Sequence, residues 1–208
     1  RDAWGVFRGR LATHREGMGE DVANGWRSIG LDRLEHTVTR FSARQVSAGE
    51  VEVVVRALAT SPVVPATAFA SGFELEYVYR VLGTGEIVLR HSIVPHGRMP
   101  QWLPKVGLQM ALAEGVETLT WYGRGPYETY PDRKTGARVG VWEGSVEDQD
   151  VPYIVPQDHG NKTDVRWAAL RRPDGVGLFV SGDELLNVSA QRYTTDNLSR
   201  AGYRPQLV

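Results

Sequence analysis

The sequence of 208 residues contains no cysteine. Disulfides, thiolate metal sites and cysteine nucleophiles are therefore excluded, and the absence fits a reducing compartment such as the cytoplasm. No apolar run approaches the roughly 20 residues that a membrane-spanning helix needs, and no signal-peptide pattern is present. The formal net charge is only −1, so electrostatics give no reason to expect nucleic acid or a membrane surface as a partner.

The remaining composition is that of a globular protein, with 41% hydrophobic and 24% charged residues. The length suits one sizeable core, and we expect a single domain over residues 1–208. The chain begins with Arg1 rather than Met, which is typical of a domain excised from a larger protein. Residues 1–24 combine four glycines with many charges, a pattern that predicts an irregular surface loop.

Apolar residues recur at every second position from His36 onward, as expected for β-strands. Gly83-Thr84-Gly85 predicts a hairpin turn, and Arg172-Pro173-Asp174-Gly175 predicts a second tight turn. A short helix is expected around Trp26, interrupted at Gly30. The pattern predicts a large antiparallel β-sandwich with one or two short helices. The expected strands include Val51–Ala57, Phe73–Leu82, Ile87–Val94, Val106–Leu112, Asp164–Leu170, Gly177–Ser181 and Leu186–Gln191.

The stretch from Trp121 to Lys134 concentrates four aromatic and five charged side chains within fourteen residues. Alternation predicts that a strand turns Trp121 toward the core, and that Gly123 to Pro126 ends this strand. Rings and bidentate hydrogen-bonding groups at such density suit a sugar or a contact with another domain. The alternative from the residues alone is a loop whose charges fix it through ion pairs.

Three sequence blocks resemble the C-terminal sandwich domain of bacterial β-galactosidases of the glycoside hydrolase family 2 type. They are Trp121 to Arg133 with Ala137-Arg138-Val139-Gly140, Val151 to Trp167, and Ser189 to Thr195; a less specific match lies at Trp26–Leu34. The resemblance implies a galactose mutarotase-like supersandwich, incomplete at its C-terminal end. It also implies that the intact enzyme hydrolyses terminal non-reducing β-D-galactose residues by a retaining mechanism.

In that family the two catalytic carboxylates lie in a separate barrel domain, so the resemblance implies no catalytic residue in this chain. Mg and Na, where used, are bound by other domains, and none is expected here. The implied partners are the catalytic barrel, a β-galactoside and further copies of the intact enzyme. We expect the pocket rim or the domain contact to use eight side chains: Arg124, Tyr127, Glu128, Tyr130, Asp132, Arg133, His159 and Asn161.

Two other functions remain open at this point. A stand-alone aldose mutarotase needs an acid and a base across a sugar cleft; His159 is the best candidate for the acid and Glu128 for the base. A carbohydrate-binding module needs exposed rings, for which Tyr127 and Tyr130 are suited because the loop frees them from the sheet. Glu128 and Asp132 could suggest a catalytic pair, but their spacing on a proline-containing loop fixes no distance. No histidine pair has metal-site spacing.

Overall fold

The computed structural model describes residues 25–62, 71–100, 103 and 105–207. These residues form two compact units, one within residues 18–103 and one within residues 104–208. Each unit is built on a four-stranded antiparallel sheet, and the remaining regular structure consists of short helices and 3-10 turns. The all-β antiparallel class is thus confirmed, whereas a single domain over 1–208 stays a prediction. The loop predicted over residues 1–24 lies outside the described residues.

The first unit contains four strands in the sheet order β1-β2-β3-β4. They are β1 (Glu35–Ser47), β2 (Glu50–Thr60), β3 (Gly72–Leu82) and β4 (Ile87–His96). The predicted hairpin between β3 and β4 is present, with Gly85 at φ 94°, a conformation that glycine adopts without steric penalty. A helical turn at residues 25–28 precedes the 3-10 turn Leu31–Arg33, and Trp26 is buried.

The second unit has the sheet order β6-β5-β7-β8. Its strands are β5 (Thr118–Gly125), β6 (Arg138–Ser145), β7 (Lys162–Arg171) and β8 (Gly177–Val188). Leu119 and Trp121 face the core, as the alternation predicted, and pack with Val165, Ala168 and Ala190. The short helix Thr195–Arg200 has Thr194 as its N-cap, and the Thr194 side chain accepts a hydrogen bond from the backbone N–H of Asn197.

Three predictions about the strands need correction. Residues 105–113 form no strand, although Val106 and Leu112 belong to an alternating pattern, because no described strand pairs with them. The two strands expected at Gly177–Ser181 and Leu186–Gln191 are one strand that ends at Val188 and accommodates irregularities in its pairing with β7. Such bulges let a strand continue where strict alternation fails.

The third correction concerns the glycines that follow Trp121. They do not end β5, which continues through Gly125 to a cis Gly125–Pro126 peptide bond. A Cβ on Gly123 would lie 2.8 Å from Cγ2 of Val165, and a Cβ on Gly125 would lie 2.7 Å from the Trp142 ring. The glycines are therefore required by close packing inside the sheet rather than by a turn.

No helix among the described residues is both long and apolar enough to cross a membrane.

Candidate functional site

Apart from Arg124, which lies in β5, the candidate side chains lie on two segments of the second unit that hydrogen-bond to each other. One segment connects β5 to β6, and the other precedes β7. The backbone N–H of Thr129 donates to the carbonyl of Asn161 over 2.7 Å, and the Asn161 side-chain amide donates to the carbonyl of Thr129 over 2.8 Å. The side chain of Thr129 also accepts from the backbone N–H of Thr163 at 2.9 Å. Asn161 therefore joins the two segments through buried hydrogen bonds.

Glu128 is the centre of this arrangement, and its side chain is 9% exposed. Its carboxylate accepts hydrogen bonds from the Arg133 guanidinium and the Tyr153 hydroxyl, and from the backbone N–H of Gly160 at 2.9 Å. Burial alone would raise the pKa of Glu128, but these three donors outweigh it and hold the pKa below its ordinary value. Glu128 is thus held as a carboxylate with both oxygens occupied.

Arg124 organises a second ionic group at the end of β5. Its Nε donates to Oδ2 of Asp164 at 2.5 Å, and one terminal nitrogen donates to the carbonyl of Ala137 at 2.9 Å. Lys134 donates to Oδ1 of the same Asp164 at 2.8 Å. Hydrogen bonds from Lys134 and Arg124 lower the pKa of Asp164. Arg124 therefore fastens both ends of the loop to the start of β7.

The two loop tyrosines occupy opposite environments. Tyr130 is 1% exposed, and its hydroxyl lies 3.4 Å from Glu128 Oε2 and from the carbonyl of Asp158. Burial, aided by the charge of Glu128, raises the pKa of Tyr130. The expectation that the loop frees Tyr130 for stacking on a sugar is therefore wrong. Tyr127 is 54% exposed and keeps an accessible ring.

His159 is 2% exposed. Its Nε2 lies 2.9 Å from Oδ1 of Asp150, and its Nδ1 lies 2.8 Å from the carbonyl oxygen of Gln157. Arg204 forms an ion pair with the other oxygen of Asp150 at 2.5 Å. Both ring nitrogens of His159 are thus occupied by protein acceptors, which leaves neither available for a proton transfer to a sugar.

Asp132 is exposed and takes no part in the hydrogen bonds of Glu128. Arg133, whose side chain is 48% exposed, also lies over the Tyr130 ring, with 5.5 Å between the guanidinium carbon and the ring centroid. The structure therefore unites Glu128, Tyr130 and Arg133 in one network, with Arg124 in a second, while Asp132 stays outside both.

Sequence reasoning missed Lys162. This lysine is 2% exposed, and its ammonium lies 4.9 Å from the centroid of a Trp121 ring. Burial lowers the pKa of Lys162 to about 8, and the negative charge of Glu128 partly opposes this shift. Lys162 belongs to the block Val151–Trp167 but precedes the strand expected at Asp164–Leu170, so no sequence signal marked it as buried.

Sequence reasoning also missed Tyr153, Asp150 and Asp164. Each of them is separated by many residues in sequence from the side chain that it contacts. Among the described residues, no group of three or more His, Asp or Glu side chains could hold a metal ion. The geometry is that of a buried, mutually satisfied ionic network, which fixes a loop and orders its exposed rim.

The fold and this network define an all-β protein in which a charged loop is hydrogen-bonded to the start of β7. Residues 7–208 match the family model described as beta galactosidase small chain, and the chain belongs to this family. The resemblance seen in the sequence motifs is thereby confirmed.

Several curated relatives share this sequence over a limited part of their length. A β-galactosidase from Priestia megaterium is 40% identical over 116 residues, which cover 56% of this chain and 11% of the relative. β-Galactosidases from Vibrio cholerae and Lactobacillus delbrueckii subsp. bulgaricus are 30% and 31% identical over 88% and 92% of this chain, and 16% and 18% of their own length. The chain thus spans less than a fifth of these relatives.

Proposed function

We propose that the chain is a non-catalytic domain of a larger β-galactosidase that hydrolyses terminal non-reducing β-D-galactose residues. A retaining glycosidase needs two carboxyl groups about 5–5.5 Å apart, one of which attacks the sugar while the other transfers protons. The observation that supports a non-catalytic role is the state of Glu128, the most buried carboxylate of the loop: both of its oxygens accept hydrogen bonds from protein donors.

The domain's role in this proposal is to pack beside the catalytic barrel, to shape one side of the active-site pocket and to support subunit assembly. The locked loop is suited to this role because ionic networks with several charge-assisted hydrogen bonds hold a surface in one conformation. Tyr127 and Asp132 are exposed and form its accessible rim. We further propose that any Mg or Na is bound by other domains, and that the intact homo-oligomeric enzyme works in the cytoplasm.

The proposal is tested by assaying the chain and its full-length parent side by side on a chromogenic β-galactoside. We expect turnover by the parent and none by residues 1–208 expressed alone, with the strand signal in circular dichroism showing that the isolated chain has folded. Turnover by the isolated chain would contradict the proposal, as would an inactive parent.

The same samples test the two alternatives. A mutarotase would accelerate the interconversion of α- and β-galactose in a polarimeter, and a binding module would release heat on titration with galactosides. We expect neither effect from the isolated chain, because His159 and Glu128 are engaged with protein partners and Tyr130 is buried.

A further inference from the structure

His159 is a buried ring with a hydrogen-bond acceptor facing each of its two nitrogens. Its Nδ1 lies 2.8 Å from the backbone carbonyl oxygen of Gln157, and its Nε2 lies 2.9 Å from Oδ1 of Asp150. A carbonyl oxygen and an ionised carboxylate can accept hydrogen bonds but cannot donate them, and a neutral imidazole has a single N–H. Both contacts are therefore hydrogen bonds only if the site holds one proton more than a neutral ring beside an ionised Asp150.

Arg204 determines which of the two groups holds this additional proton. Its guanidinium lies 2.5 Å from the other oxygen of Asp150, and a neighbouring cation favours the ionised form of a carboxylate. Arginine does not lose its charge in proteins, so the pair persists at every pH considered below. The additional proton therefore belongs to His159, and the ring that makes both contacts is an imidazolium.

The other charged groups around the ring are farther away or paired with each other. The Arg192 and Glu147 side chains form an ion pair at 2.7 Å, and they are 54% and 70% exposed, so water screens them. Asp158 lies 3.3 Å from Lys105. Tyr193 adds a phenol to the same surroundings, and Glu128 is reached only through the backbone of Gly160. The nearest charge to the ring is thus the carboxylate of Asp150, which stabilises an imidazolium.

The turn that contains His159 is a junction within the second unit. The backbone carbonyl of His159 accepts a hydrogen bond from the Gln191 side chain, and the next residue, Gly160, donates its N–H to Glu128 at 2.9 Å. A Cβ on Gly160 would lie only 2.6 Å from the carbonyl oxygen of Gln149. Because the turn is packed this closely, a displacement of the His159 ring also displaces the N–H that Glu128 accepts.

Water has access to the ring although His159 is buried. A cavity of about 50 Å³ is lined by His159, Asp150 and Arg204 among others, and a polar cavity of this size is large enough to hold water. A proton that leaves the ring can therefore pass to water in this cavity, and it can return by the same route.

We infer that the proton on His159 is a switch that fastens the turn of residues 157–160 to Glu128. With the proton, the ring donates to both Asp150 and Gln157, and the turn is fixed. As the pH rises, the proton passes to water, one nitrogen presents a lone pair to an acceptor, and one of the two contacts is lost. The turn then loosens, and Gly160 releases Glu128. This inference goes beyond the proposed function and does not depend on it.

Hydrogen exchange of the full-length protein at about pH 5 and about pH 7.5 tests the inference. Histidine is the side chain that ordinarily changes its charge in this interval, while Glu128, whose pKa is lowered, stays ionised. Relative to the intrinsic exchange rate at each pH, protection of the Gly160 amide should fall about tenfold at the higher pH, which is the factor for one hydrogen bond to a charged group. The Thr163 amide, which donates to Thr129 at 2.9 Å, is the reference. Equal protection of Gly160 at both pH values would overturn the inference, as would an equal loss at Thr163.

Three variants separate a switch from a structural histidine. His159→Gln cannot gain a charge, so the difference between the two pH values should disappear at Gly160. Asp150→Asn supplies an amide N–H that can donate to an unprotonated Nε2, so the difference should also shrink there although His159 remains. His36→Gln changes an exposed histidine of β1 and should keep the full difference. A difference that persists in His159→Gln or is lost in His36→Gln would overturn the inference. If His159→Gln fails to fold, Asp150→Asn decides, and an unchanged difference in that variant refutes the switch.

Discussion

Lys162 should destabilise the folded chain at neutral pH. Its ammonium is buried against Trp121, and burial lowers its pKa from 10.5 to about 8. That difference corresponds to about 3 kcal/mol of lost stability wherever the lysine is charged in both the folded and unfolded states. The attraction of the ammonium to the Trp121 ring is already part of this difference, because a pKa shift compares the charged and neutral forms as a whole.

The sign of the pH dependence follows from these values. Below pH 8 the folded and unfolded chains both carry the ammonium, so the loss is complete. Between about pH 8 and 10.5 the unfolded chain binds more protons than the folded chain, and stability therefore rises with pH. From pH 7 to about pH 9.5 the gain is about 2 kcal/mol.

Urea unfolding followed by tryptophan fluorescence at these two pH values measures the effect. Lys162→Met should stabilise the chain by about 1–2 kcal/mol at pH 7 and should remove the rise with pH. Lys162→Arg is the matched control, because it keeps a charge that does not titrate in this range: it should also remove the rise, but without the gain at pH 7. A rise that persists in Lys162→Met, or a loss of stability at pH 7, would refute the reasoning.

Three further substitutions test the network and the packing. Glu128→Gln should lower the free energy of unfolding by about 2–3 kcal/mol at neutral pH. Because the folded-state pKa of Glu128 is lowered, this difference should vanish as the pH falls through that pKa; urea titrations that show equal stability at pH 7 would contradict it. Arg124→Ala in the parent should reduce activity or assembly, and unchanged kinetics and oligomeric state would refute its bracing role. Gly123→Ala should cost about 1–3 kcal/mol, since the added Cβ meets Val165 at 2.8 Å; Gly49→Ala, with nothing within 4 Å, is the control, and equal midpoints for the two variants would refute the packing argument.

The burial of Trp121 could be predicted because alternation along a strand is a local property of the backbone. The same rule failed at Val106–Leu112, where the pattern is periodic but no described strand pairs with it. It also misjudged the glycines after Trp121, because a glycine required for a close approach looks identical in sequence to one required for a turn. Tyr130 was expected on the surface for a similar reason. Its hydroxyl lies near the carbonyl of Asp158, which is 28 residues away, and nothing adjacent in sequence indicates this contact.

The sequence alone determined the all-β class, the principal hairpin and the family, because strand periodicity, turn residues and motif blocks are all written in short stretches of chain. Only the tertiary structure decided what the charged loop does. Glu128 accepts a hydrogen bond from the backbone N–H of Gly160, which is 32 residues away in sequence. Arg124 donates a hydrogen bond to Asp164, which is 40 residues away. A hydrogen bond needs its donor and acceptor aligned and within about 3 Å of each other. Folding brings these distant segments that close together, and no local sequence pattern encodes their approach.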